Sequence, residues 1–279
     1  MEKNLEMRAI TKISFIVVAI TLLLFILNNS FHDQFATITV PLLVAGILFP
    51  GIPHGALDHK LGQREKVTFK ARVTFVSSYI FVMILVGLIW IFWINLGVLL
   101  FILYSAWHFG ETDTRSMKVY SPFMAMVFGL CLLVFLLSTH TEGYNLVMDQ
   151  LGSIALKLSE SQMSIFTWLS LPGLFLPLIY YQKMDWPIWF STISVLFLST
   201  QLPLLLAFLL YFVGLHSFRG WFDIHRQTGI THARMMLQAL PFSLSAYLIF
   251  LLVWWIWNAG HLDLELAVPA FFAFLAAIS

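Results

Sequence analysis

From Val73 to Phe109 the chain runs for 37 residues without one Asp, Glu, Lys or Arg. A hydrocarbon core about 30 Å thick takes about 20 apolar residues per helix, so this stretch is too long for one crossing. Asn95-Leu96-Gly97 supplies the turn that makes it two, Val73–Ile94 and Leu96–Phe109. Comparable runs fill the rest of the chain: Ile13–Asn28, Phe35–Pro53, Pro122–Ser138, Ile165–Tyr181, Pro187–Thr200, Pro203–Phe218, Pro241–Trp257 and Leu266–Ser279. The break at Gln201-Leu202-Pro203 follows from proline, which removes a helical hydrogen bond. Only 10% of residues are charged, against about 25% in a globular chain, so most of the outer surface must face lipid. The expected fold is all-α: one integral-membrane domain over residues 1–279, a polytopic bundle of about 8–10 spans. Ile13–Asn28 has the length of a signal peptide, but Asn28-Asn29-Ser30-Phe31-His32 offers no small-x-small cleavage site, so it reads as a retained anchor. The longest outer connection, Thr139–Ser164, reads as a surface helix.

The charges narrow the function and set an orientation. A net charge of +1 leaves no basic footprint for nucleic acid, and the single cysteine, Cys131, excludes an intrachain disulfide. Cytoplasmic loops carry the excess of Lys and Arg. With the amino terminus inside, ten alternating crossings put fourteen of the 15 basic residues on the cytoplasmic side and only Lys157 outside.

Nine histidines in so apolar a chain are the informative feature, because polar groups at membrane depth are kept only where they have partners or a task. His32, His140 and His261 fall in outer loops and His59, His225 and His232 in inner loops, where solvation accounts for them. His54, His108 and His216 instead close the inner ends of three hydrophobic runs, in Pro53-His54-Gly55, Trp107-His108-Phe109 and Leu215-His216-Ser217. Three histidines at one depth on three helices converge in one plane of a bundle, which is how bundles build metal sites. Neutral imidazole suits iron, zinc, copper and nickel. Asp58 follows His54 by four residues, and Glu111 and Asp113 follow His108 by three and five. These carboxylates are candidates to orient the imidazoles, since a ligating histidine gives its other N–H to a carboxylate or carbonyl.

The blocks Gly51-Ile52-Pro53-His54-Gly55-Ala56-Leu57-Asp58, Trp107-His108-Phe109-Gly110 with Asp113, and His216-Ser217-Phe218-Arg219 resemble the Brp/Blh family. These are prokaryotic membrane β-carotene 15,15′-dioxygenases, and the order and spacing of the blocks match over most of the chain. The resemblance implies a multi-pass protein of the prokaryotic inner membrane that uses Fe(II) and O2 to split the central double bond of β-carotene into two molecules of retinal, often for a rhodopsin. It implies iron ligation by His54, His108 and His216. The 27 Phe, 10 Trp and 8 Tyr then include the lining of a polyene tunnel, alongside lipid contacts and interfacial belts. The sequence departs from the family pattern twice. Gly220 stands where many members carry a fourth histidine, leaving Asp223, His225, His59 or water as substitutes. Asp223, seven residues after His216, lies on nearly the same helix face, whereas His225 points roughly opposite. Members also tend to continue past the stretch matching Phe271–Ser279 into another Pro-His pair, so the end at Ser279 reads as truncated or atypical.

Two other classes compete. An intramembrane metal-dependent hydrolase would use Glu111 as general base on a metal-bound water, but no His-Glu-x-x-His occurs. No His-x-x-x-His pair occurs either, which disfavours the histidine-box desaturases. A non-catalytic carotenoid-binding or transport protein fits the proline and glycine breaks, although no charged residue falls inside an assigned apolar run.

Overall fold

The computed structural model describes residues 2–55, 57, 69–180 and 182–258, without the side chains of some of them. Asp58, His59, His261 and the run Leu266–Ser279 lie outside the described residues, as do the side chains of His32 and His54.

Most of the described residues are helical, and no strand occurs among them. Helix α1 (Glu2–Gly46) passes through a π-helical segment, Ile47–Gly51, into the short α2 (Ile52–Gly55). Next come α3 (Phe69–Phe92) and α4 (Ile94–Ser116), separated at Trp93, two residues before the turn expected at Asn95. Helix α5 (Pro122–Ser138) starts on Pro122 with the Ser121 hydroxyl accepting from the Met124 amide at 3.1 Å, the residues a helix start favours. Helix α6 (Thr141–Gln150), within the stretch Thr139–Ser164, is bent 93° away from α5. A capping box of Ser159 and Gln162 opens α7 (Glu160–Phe175). Helices α8 (Trp186–Leu198) and α9 (Leu204–Tyr211) part at the expected Leu202-Pro203 break. A second π-helical segment, Phe212–Ser217, joins α9 to α10 (Phe218–Thr228), and α11 (His232–Asn258) follows.

Among the described residues, Arg8–Asn28, Ile94–Ser116, Glu160–Tyr180 and Leu204–Thr228 are long and apolar enough to cross a membrane, and the bent pair α5 and α6 makes up to five such spans. Large side chains such as Phe81, Ile91, Trp168 and Leu237 point outward, as lipid-facing positions do. The interior is a cluster built on Phe128, Leu132, Leu136, Leu196, Ala207 and Leu215. Helices α4 and α5 cross closest. Ala106 and Gly110 on α4 face Ala125 and Gly129 on α5, and a methyl on either glycine would overlap a carbonyl of the opposite helix. Small residues at four-residue spacing let membrane helices meet backbone to backbone.

The amino-terminal end corrects the sequence reading. Residues 28–35, expected as an outer turn, continue α1 without a break. Asn28 is buried there and donates to the Gln201 carbonyl at 2.8 Å. Asn, Ser, His and Asp lower helix propensity only mildly; Gly and Pro are what interrupt a helix, and this stretch has neither. The division of basic residues between two sides needed a turn at that point, and the fold does not supply it.

Candidate active site

His108 sits on α4 between Ala106 and Gly110, the residues of the close crossing with α5, and His216 sits in the second π-helical segment. Their ring centres are 5.0 Å apart and the rings are tilted by 70°. His216 is 0% exposed. The Phe109 ring lies 4.4 Å from it and the Phe212 ring 5.7 Å, so two aromatic walls hold the imidazole away from water. His108 forms the more open side of the pair. The Tyr104 ring, 49% exposed, runs parallel to it at 6.4 Å.

His54 belongs to the same region by its backbone. The segment Ile47–Gly51 packs on Phe212–Ser217, and Gly51 lies against the Phe212 ring. Tyr247 donates its hydroxyl to the Leu48 carbonyl, and Leu57 is buried among Ile224, Met235 and Ala239. The first and third histidine blocks of the sequence are thus neighbours, and the second meets the third directly.

The carboxylates near the pair are engaged elsewhere. Asp113, expected to orient His108, is 0% exposed. It accepts from the Tyr211 hydroxyl at 2.9 Å and from Arg219 Nη1 at 3.1 Å. Glu111 pairs with Arg115 at 2.7 Å, and that guanidinium also covers the Tyr120 ring at 3.9 Å. Asp223 is held by Arg226 and by Gln227 Nε2. Asp58 lies outside the described residues.

The sequence reading counted Arg219 among the basic residues of the cytoplasmic side and gave its side chain no role. The guanidinium is 1% exposed. Besides Asp113 it donates to Thr192 Oγ1 at 2.6 Å, Ser191 Oγ at 2.9 Å, and Ser14 Oγ and the Ile188 carbonyl at 3.3 Å each. It therefore joins α1, α4, α8 and α10. No charged residue falls inside the assigned apolar runs, but the helices that contain them, Ile94–Ser116 and the continuous helix Leu204–Thr228, extend past those runs and carry this pair. An ionisable side chain inside a span is the signal that marks such a position. A second missed feature is His140, read as a solvated loop residue. It is 8% exposed, with Nδ1 2.7 Å from the Leu136 carbonyl and Nε2 3.0 Å from that of Ser199.

Two imidazoles on one metal ion, with metal–nitrogen bonds of about 2.0–2.1 Å, have ring centres about 5 Å apart. The observed spacing fits that arrangement, and neutral nitrogen donors suit iron among other metals. Among the described residues no three His, Cys, Asp or Glu side chains gather around a common point; the side chain of His54 lies outside the described ones. The His54 backbone is already alongside.

No curated protein and no solved structure matches the chain. The family model for beta-carotene 15,15'-dioxygenase matches residues 45–279, a stretch that contains all three histidine blocks. The chain belongs to the beta-carotene 15,15'-dioxygenase family.

Proposed function

We propose that the protein is an iron-dependent membrane dioxygenase that cleaves the central 15,15′ double bond of β-carotene with O2 to give two molecules of retinal. The observation that carries this reading is the pair His108 and His216, 5.0 Å apart inside aromatic walls in a chain of this family. His54, His108 and His216 would hold Fe(II), which supplies the oxygen chemistry when bound. The protein's own part is positional. Phe109 and Phe212 exclude water from His216 and fix its ring. Tyr104 and His108 face the open side, where an apolar polyene dissolved in lipid can approach without crossing water. Asp113 is occupied by Tyr211 and Arg219 and stays out of the coordination shell. Glu111 is tied to Arg115, which disfavours its use as the base of a hydrolase.

The test uses the full chain purified in detergent. The expected result is about one iron per chain and retinal formed from β-carotene under O2, with both lost in His108→Ala and His216→Ala. Retinal formation unchanged in His54→Ala would remove that residue from the ligand set. Zinc with hydrolytic activity, or β-carotene bound and recovered intact with added Fe(II), would overturn the assignment.

A further inference from the structure

One carboxylate ties together the two segments that carry the paired imidazoles. Asp113 follows His108 by five residues on α4. The groups that grip it, the Tyr211 hydroxyl and Arg219 Nη1, come from either side of His216 on the neighbouring helix. Tyr211 and Arg219 are eight residues apart. On a regular α-helix that separation leaves two side chains about 80° apart around the axis. A π-helical segment absorbs one extra residue and brings them back to within about 20°. The segment that does so is Phe212–Ser217, the one that carries His216. The Ser217 hydroxyl donates to the Phe212 carbonyl at 3.0 Å, five residues back, which helps satisfy the widened turn.

We propose that Asp113 and Tyr211 are positioning residues of the metal centre. Their hydrogen bond, together with the Arg219 pair, holds the π-helical register and so sets the angle at which His216 meets His108. This rests on the reading of those two histidines as metal ligands. Arg219 has further anchors on α1 and α8, so its loss would not report on the Asp113–Tyr211 contact alone. The Tyr211 hydroxyl is the narrower probe. Its ring packs against Phe109 at 5.6 Å, and phenylalanine keeps that packing.

The experiment compares Tyr211→Phe with Tyr144→Phe in the full chain in detergent, using Co(II) alone as an optical probe. Each variant removes one hydroxyl that donates at 2.9 Å, to the buried Asp113 carboxylate from Tyr211 and to the half-buried Leu156 carbonyl from Tyr144, but Tyr144 belongs to a separate cluster. Both should lower the unfolding temperature, Tyr211→Phe by more because its partner is a fully buried carboxylate. Only Tyr211→Phe should weaken Co(II) binding, by about 10–100-fold, the usual cost of losing a group that orients a ligand, and shift the visible bands. The proposal is overturned if Tyr211→Phe binds Co(II) with the parent affinity and spectrum, or if Tyr144→Phe weakens binding equally. If the parent shows no Co(II) bands that His216→Ala abolishes, the ligand reading itself has failed, and the proposal with it.

Discussion

Replacing Arg219 by methionine keeps much of the side-chain length and removes the charge, and the structure says where the cost falls. The Ser191 and Thr192 hydroxyls, which accept from Arg219, already donate to the Ile188 carbonyl at 2.8 and 3.1 Å. That carbonyl keeps both bonds, so the α8 partners lose little. Asp113 loses its counter-charge at 0% exposure and keeps only the Tyr211 hydroxyl. Leaving one member of a buried ion pair uncompensated costs about 3–5 kcal/mol. At about 2–4 °C per kcal/mol for a chain of this size, the unfolding temperature in detergent should fall on the order of 10 °C. Removing both charges in Arg219→Met with Asp113→Leu eliminates the orphaned carboxylate. An apolar replacement of a whole buried pair is often neutral, and the stranded Tyr211 hydroxyl costs about 1–3 kcal/mol. About half of the loss should therefore return. The assay is thermal unfolding followed by tryptophan fluorescence, arranged as a double-mutant cycle. The reasoning fails if Arg219→Met stays within about 1 kcal/mol of the parent, or if the double variant is as unstable as the two single losses added.

Two further changes probe the packing around the site. Gly110→Ala places a methyl on the Ala125 carbonyl, and spreading α4 from α5 should cost at least the roughly 1–3 kcal/mol of ordinary overpacking, read as a lower unfolding temperature. His140→Ala removes a ring whose nitrogens lie beside the helix-end carbonyls of Leu136 and Ser199; a neutral imidazole donates to one of them, so the loss should cost at least about 1 kcal/mol. A solvated loop histidine would move stability by no more than about 0.5 kcal/mol, so the same unfolding measurement separates the two descriptions.

The parts of the fold legible in the sequence are those where local chemistry decides the backbone. Two breaks were legible: one at Leu202-Pro203, and one near residue 95 that falls at Trp93, with Asn95 and Gly97 in the first turn of α4. Proline alone does not decide, because Pro41, Pro172 and Pro241 lie inside helices. Polarity misled at residues 28–35, because Asn28 finds its partner on Gln201, far along the chain. The pairing of Asp113 with Arg219 spans 106 positions, and no local window of composition reveals it. What could be read was the shared depth of His108 and His216. The two apolar runs end on those residues, and helices that enter at one side and end together bring their last side chains to one level.

The π-helical segment was beyond any such reading, yet its placement follows from what surrounds it. Gly214 lies in the middle of Phe212–Ser217, and a methyl there would come within 2.9 Å of Val17 on α1. One turn before Val17, Ser14 accepts from Arg219. Helix α1 therefore touches the widened turn at its centre and just beyond its end, while Asp113 reaches Tyr211 and Arg219 from α4 on both flanks. A π turn costs hydrogen-bond geometry and persists where its surroundings over-determine it. Residues 14 and 17 precede the part of the chain that the family model matches, but they form part of the wall behind His216. The geometry of the imidazole pair is thus a property of α1, α4 and the π-helical segment together, and a change in any one of them acts on His216 through the same few contacts.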